Sequence, residues 1–438
     1  MTQSHPSIRF VGGEQNEGGL LKLAIVGTGI SGLSAAWRLH GKHDVRVFER
    51  EGRPGGHSHT VGVDDRGREV PVDTGFLVYN EVTYPNLVKL FARLGVPTKA
   101  SDMSFSVRCE SCDLEWCGTG LTGVFAQPSN LLRPSFHGML LEIARFNREA
   151  PRLLDEPGAE SLTLSAYLDR ERYGAAFRSH YLVPMAASVW SSGPAAMETF
   201  PAATLVRFFL NHGFLGVTTQ FQWRTVDGGS REYVQRLTAP FRDRIHLGSP
   251  VVKVRRDAHG VELVFADGGS QQFDGVVIAA HADEALAMLE EPTADERRLL
   301  GAWSYSTNET LLHSDPSFLP HRSGARAAWN YHLEECARPW TSATLNYWIN
   351  RLQRLPTKTD WIVSLNPTRE PAEGSVARRL TYTHPVFTRE SVATQAELPS
   401  LNGRSRTWFC GAYFGYGFHE DGLASGIAAA VSLGAEPL

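Results

Sequence analysis

The chain has 438 residues, 42% of them hydrophobic and 21% charged, with a formal net charge of −4. That length suits two domains with ample core, and the near-neutral balance excludes a general electrostatic affinity for nucleic acid. Five unevenly spaced cysteines make no disulfide scaffold and fit a reducing, cytoplasmic setting.

Residues 1–20 are polar and glycine-bearing; they lack the apolar core of a secretory signal and read as a flexible leader. A short apolar run at 23–26 then leads into Gly27-Thr28-Gly29-Ile30-Ser31-Gly32. A helical pattern follows to about residue 40, and a β-like run at 45–48 ends on Glu49. Strand, glycine turn, helix, strand and acid in that order hold a dinucleotide pyrophosphate. Gly27 permits the tight turn, Gly29 lets backbone approach the phosphates, and Gly32 lets helix and strand pack closely. The free N–H groups of the first helical turn, at Ile30 and Ser31, face the anion together with the helix dipole. Glu49 lies about 20 residues past Gly27, where its carboxylate accepts from ribose hydroxyls and repels a 2′-phosphate, so an NADP-type ligand is disfavoured.

Just past the acid, Glu49-Arg50-Glu51-Gly52-Arg53-Pro54-Gly55-Gly56 adds guanidinium groups and a second glycine pair. This run resembles the extended fingerprint of the FAD-binding superfamily that holds flavin amine oxidases, protoporphyrinogen oxidase and carotenoid desaturases. Residues 70–76 read as a strand with a glycine turn, and from 81 to 220 the pattern is mainly helical, as at 84–94, 136–154 and 204–214. Within it, 104–116 reads as a hairpin turning at 110–113. Cys109-x-x-Cys112 with Cys117 is short of a fourth ligand, because no second pair follows at zinc-site spacing; no metal is expected. Residues 206–215 are apolar and aromatic, suited to line a tunnel for a long chain, to touch a membrane surface, or simply to pack.

Residues 226–290 return to a β-rich pattern, with a helix at 230–241 and strands at 250–255 and 260–265. The uniformly apolar run at 275–280 suits a buried parallel strand. Mixed β segments with aromatics, at 343–349 and 361–365, fill 300–395. Finally 407–412 reads as a buried strand ending in glycine, and 417–426 opens a small-residue helix through 433. Its small residues allow close approach to a flat ring, and its N–H groups favour negative charge there. No run of about 18 uncharged apolar residues occurs, so a membrane-spanning helix is not expected. No second dinucleotide fingerprint appears, since Asp227-Gly228-Gly229-Ser230 lacks the strand and spacing.

From residue 21 to 434 the order of motifs resembles the flavin amine oxidase superfamily. It is most similar to a bacterial branch of NAD/FAD-binding oxidoreductases related to the domain fused ahead of plant cyclopropane fatty-acid synthases. The likeness rests on VDTGFLVYNEVTYPNL (72–87), PTKASDMSFSV (97–107), QWRTVDGGSREYV (222–234) and WFCGAYFGYGFHEDGLASG (408–426). It implies an α/β fold in which a Rossmann-like FAD-binding domain (21–80, 226–295, 400–438) is interleaved with an α+β substrate domain (81–225, 296–399). It also implies that Gly27, Gly29, Gly32, Gly55 and Gly56 meet the diphosphate and Glu49 the ribose, with Arg50 and Arg53 nearby. Val251 then meets adenine, while Gly411, His419, Asp421, Gly422 and Leu423 meet the ribityl chain and pyrimidine edge. Asp73, Thr74, Gly75 and Phe76 approach the ring.

Two departures stand out. His57 replaces the arginine that often follows the glycine pair, and Ala412 replaces an acid. No counterpart of the flavin-tethering cysteine exists, so non-covalent FAD is expected, with His57 or His59 as the alternative tether. Phe418 matches a wall of the amine-oxidase aromatic cage; Lys358, His419 and Glu420 are candidates to hold water or a proton. Three readings compete. One is hydride removal from a lipid-like, fatty-acyl substrate, the methyl-branched class included. The second is oxidation of small amines or polyamines, and the third a non-catalytic flavoprotein partner of a lipid methyltransferase, with peripheral membrane contact compatible with the lipid readings.

Overall fold

The computed structural model describes residues 19–216, 220–336 and 344–438. Residues 1–18 of the leader expected at 1–20, and Ala343 of the expected aromatic strand, lie outside the described residues.

A five-stranded parallel sheet organises one half of the molecule. Its order is Ile245–His246, Asp44–Phe48, Lys22–Val26, Gly275–Ile278 and Thr407–Phe409. Register follows from the apolar runs: Ile25 lies between Val47 and Val277. Both faces are buried, which is why these strands read as continuous apolar stretches. Leu23, Ile25 and Val277 point into one core, shared with Leu33 and Leu423 of the helices Ile30–Leu39 and His419–Ser432. Ala24, Val26 and Val276 point into the other, against the antiparallel meander Val251–Arg256, Val261–Phe265 and Ser270–Phe273. Phe48 fixes that contact, with its ring 4.9 Å from Phe265.

The other half is built on a seven-stranded sheet. In order its strands are Val376–Val386, Ser304–His313, Ile362–Leu365, Thr344–Trp348, Trp329–Leu333, Phe105–Cys109 and Leu114–Cys117. All pairs are antiparallel except Trp329–Leu333 with Phe105–Cys109. Helices including Pro134–Glu149, Val183–Trp190 and Ala202–Asn211 join the same core.

The helix Pro85–Leu94 departs from the expected division. Sequence order placed it with the substrate half, yet Leu87, Leu90 and Phe91 bury their stripe in the core of the nucleotide half, with Tyr233 and Leu423. The Glu420 carboxylate holds it there, accepting from the N–H groups of Asn86 (2.9 Å) and Leu87 (3.0 Å) and from Asn86 Nδ2 (2.8 Å). An acid at a helix start satisfies orphan donors and opposes the dipole. Among the described residues no helix is long and apolar enough to cross a membrane.

Candidate functional site

A cavity of about 670 Å3 runs between the two halves. Its first end is the turn out of Lys22–Val26. Gly27 has φ +101°, and a Cβ there would stand 2.6 Å from the Ala279 carbonyl oxygen. At Gly32 a Cβ would meet the Gly27 oxygen at 2.1 Å, so this glycine serves helix-to-strand packing and is not part of the cavity lining. Gly29 differs: a Cβ there would touch nothing within 4 Å, and the residue faces the cavity. No side chain caps the helix that begins at Ile30, and its first turn holds no acid. Its amide dipoles are therefore aimed at open space that suits an anion.

Glu49 closes this end. One carboxylate oxygen accepts from Thr28 N–H (2.9 Å) and Thr28 Oγ (2.5 Å), the other from Glu51 N–H (3.0 Å). The second oxygen, with one donor, keeps a lone pair for a ribose hydroxyl. Arg50 pairs with Glu284 at 2.5 Å, Arg53 with Glu51 at 3.1 Å, and both arginines line the cavity beside Gly55, Gly56 and Val251.

The middle of the cavity is ringed by imidazoles and glycine turns. Gly75, Phe76, Gly411, Gly422, His57, His281, His384 and His419 all line it. His419 stacks on Phe76 at 3.8 Å, and its Nε2 pairs with Ser58 Oγ (2.9 Å) and Tyr233 OH (3.1 Å). Burial pushes the pKa of His419 down to about 3 and that of His57 to about 4; the same cause lowers His281 and His384. These rings are thus neutral at neutral pH. His57 Nε2 is buried without a hydrogen-bond partner in the protein.

Several expected contacts fall elsewhere. Thr74 bonds the His59 carbonyl (3.1 Å) and Tyr382 OH (2.7 Å), behind the lining. Asp73 is fully occupied: it accepts from Thr60 Oγ (2.6 Å), Ser230 N–H (2.9 Å) and Gln353 Nε2 (2.9 Å). Asp421 caps its own helix by accepting from Phe418 N–H at 2.9 Å, and Leu423 is wholly buried in the core. Neither lines the cavity, and Glu420 is spent on the helix Pro85–Leu94. Lys358 is exposed on a loop anchored through Thr357 and Thr359 to Asp65, away from the cavity.

Phe418 opens the far end. Its ring stacks on Phe208 at 5.0 Å and lies 6.3 Å from Trp190. Trp190 Nε1 donates to the Tyr416 carbonyl (3.1 Å), which fixes this wall. Leu77, Val78, Met103, Phe214, Trp223, Trp329 and Tyr347 complete it. Of these, Trp190, Trp329 and Tyr347, like His281 and His384 in the middle, carry no local sequence signal of a site; only the fold gathers them.

The residues fit FAD. An open glycine cradle at an uncapped helix start, a buried acid with a spare lone pair and an orphaned imidazole nitrogen are what a dinucleotide with a polar ring would satisfy. No cysteine lines the cavity among the described residues.

Comparison with solved structures shows that other proteins share this fold. A putrescine oxidase variant superposes with TM-score 0.66 at 15% identity, covering 95% of this chain and 99% of its own. Cyclohexylamine oxidase from Brevibacterium oxydans IH-35A gives 0.66 at 17% identity, over 94% and 99%. A fatty acid isomerase from P. acnes that produces CLA gives 0.63 at 14%, over 93% and 97%. No functionally curated protein matches the sequence. Residues 30–350 match the protein family described as flavin containing amine oxidoreductase. That span is well over half of the chain, which therefore belongs to this family and is an FAD-dependent oxidoreductase.

Proposed function

We propose that the protein removes hydride from an apolar, lipid-like substrate, with a fatty-acyl chain, straight or methyl-branched, as the class that fits best. One observation carries this reading. The cavity beyond Phe418 is walled by aromatic and aliphatic side chains, and among the described residues its acids (Glu49, Glu51 and Glu284) all sit at the nucleotide end. A small ammonium or polyamine would enter that far end with no carboxylate to replace its water, a large desolvation penalty. An alkyl chain gains there about 25 cal/mol per Å2 of apolar surface removed from water. The fold itself serves a fatty acid isomerase as well as oxidases of putrescine and cyclohexylamine, so the lining, not the architecture, discriminates.

FAD held in this cavity supplies the hydride acceptor. The chain's own residues position and dry the reacting carbon. Phe418, Phe208 and Trp190 form a rigid wall that excludes water and fixes the alkyl chain. His419, neutral and held by Ser58 and Tyr233, places an uncharged polar edge beside Phe76. The Trp329 indole N–H, buried without a partner, and the Tyr347 hydroxyl are donors for the polar head of a substrate.

Anaerobic mixing tests the reading. Free fatty acids, acyl thioesters and phospholipids are each added to the oxidised holoprotein, as are putrescine and cyclohexylamine, and flavin absorbance is followed. Bleaching by an acyl compound and not by the amines is expected. Bleaching by the amines alone would replace this reading with amine oxidation. A flavin that no member of either class reduces would favour the non-catalytic partner of a lipid methyltransferase.

A further inference from the structure

Three cysteines and a histidine converge outside the lining of the flavin cavity. Cys109 ends the strand Phe105–Cys109 and Cys112 sits in the turn that follows. His180 comes from a single π-helical turn, Arg178–Leu182, and Cys336 from just past the strand Trp329–Leu333. The four ligand atoms all lie within 4.8 Å of one another. Parallel pairing of Leu333 with Cys109 creates the meeting, and the Glu110 and Ser111 N–H groups extend it by donating to the Leu333 (2.9 Å) and Glu334 (3.0 Å) carbonyls. Cys112 Sγ stands 3.6 Å from His180 Nε2, and the Ser111 hydroxyl lies 3.5 Å from Cys109 Sγ and 3.4 Å from Cys336 Sγ.

We propose that Cys109, Cys112, His180 and Cys336 bind one zinc ion in a closed, tetrahedral three-cysteine, one-histidine site. The ligand set and the C-x-x-C turn are those zinc prefers, and bonds of about 2.3 Å to sulfur set a sulfur–sulfur edge of roughly 3.8 Å in a tetrahedron, so atoms within 4.8 Å of one another need only a modest contraction. A disulfide would use two of the sulfurs and give no reason for the histidine and third thiol to join them. Binding releases the thiol protons and needs no oxidant or reductant. Supporting contacts are already in place. Arg133 donates to the Cys112 carbonyl (3.2 Å), Trp116 Nε1 donates to the His180 carbonyl (3.2 Å), and the Cys336 N–H donates to Ser111 Oγ (3.1 Å).

The site has a structural role. None of its four residues lines the cavity, and four protein ligands leave no open position for substrate. It pins the hairpin and the end of Trp329–Leu333 to the π turn, which runs directly into the helix Val183–Trp190. That helix and strand carry Val189, Trp190 and Trp329, all part of the cavity wall. The zinc therefore holds the pocket's apolar wall in place without taking part in the chemistry.

Metal analysis of the holoprotein, expressed with zinc in the medium and then stripped of loosely bound ions, tests the proposal. Zinc equimolar with the chain is expected. Cys112→Ser, Cys336→Ser and His180→Ala lose it; His180→Cys, which restores a four-ligand set, keeps it, as do Cys117→Ser and Cys410→Ser. Should the loss variants be insoluble, cobalt growth of the unaltered protein decides, because tetrahedral cobalt thiolate gives intense bands in the red, beyond flavin absorption. Zinc at background in the unaltered protein, iron in its place, octahedral cobalt bands, or a Cys109–Cys112 disulfide by mass spectrometry would each overturn it.

Discussion

At the scale of single residues, Gly29 and Gly32 belong to one motif and face opposite tests. Gly29 has ordinary helix-entry backbone (φ −62°), and a methyl there meets no protein atom. Gly29→Ala should therefore fold normally while its Cβ occupies the space that the cofactor needs. We expect an unchanged circular dichroism spectrum and apoprotein Tm, with FAD affinity lowered at least about tenfold, roughly 1.4 kcal/mol. Gly32→Ala should do the reverse, since its methyl is driven into the Gly27 carbonyl; overpacking of this kind destabilises by about 1–3 kcal/mol, measured by urea unfolding of the apoprotein. Equal effects of the two substitutions on FAD affinity would refute the division of labour. Much of this site was legible in the sequence because it is local: Gly27, Gly29 and Glu49 act within one strand-helix-strand unit. Asp73, Thr74 and Asp421 were misplaced by a residue or two. Sequence puts them beside the cavity, but Ser230, Tyr382 and Phe418, which the fold delivers, claim their polar atoms.

At the scale of elements, long-range partners decide roles that pattern cannot. Beside His419, Glu420 reads as a proton handler, yet it reaches 334 positions along the chain to cap the helix Pro85–Leu94. Glu420→Gln keeps an acceptor but loses the charge opposing the dipole and one of the carboxylate's shared donors. A loss of about 1–2 kcal/mol in unfolding free energy is expected, with the flavin spectrum and substrate KM unchanged. A large change in turnover at constant stability would mean that Glu420 works on the substrate instead. The same blindness hid the cysteine–histidine cluster. Cys109 and Cys112 announce half of a site, but His180 lies 68 positions from Cys112, and Cys336 is 225 from Ser111, joined only by strand pairing. The amphipathic helices and apolar strands were readable, since their periods are set by burial within each element. Which sheet or helix they face was not, as Pro85–Leu94 shows.

At the scale of the whole molecule, the cavity exists because separate passages of the chain each deliver a neutral imidazole to one seam. His57 comes from the nucleotide unit, with His59 just behind the lining on Tyr382, His281 from the start of the helix after Gly275–Ile278, His384 from the long strand Val376–Val386 and His419 from the C-terminal helix. Burial is the leading cause that lowers each pKa from 6.5: to about 4 for His57 and His59, to about 3 for His419, and downward for His281 and His384. A group depressed in the folded state favours folding above its unfolded pKa, and that advantage is lost as pH falls toward the folded value. Stability should therefore drop between pH 6.5 and about 4, the forced protonation of His57 and of His419 each withdrawing on the order of 3 kcal/mol. Asp73 acts with the opposite sign. Burial raises its pKa to about 6, so it adds stability as pH falls through that value, but it stands against these five histidines and against His313 and His332, which burial lowers as well. The carboxylates with depressed pKa values act only below about pH 5, which leaves the upper part of the window to the histidines. Thermal unfolding of the holoprotein at stepped pH should show Tm and FAD retention falling together from pH 6.5, with the slope reduced in His384→Gln. A Tm that stays level down to pH 5, or a slope His384→Gln does not alter, would mean that these rings are not buried neutral at the seam and that the two halves close in some other way.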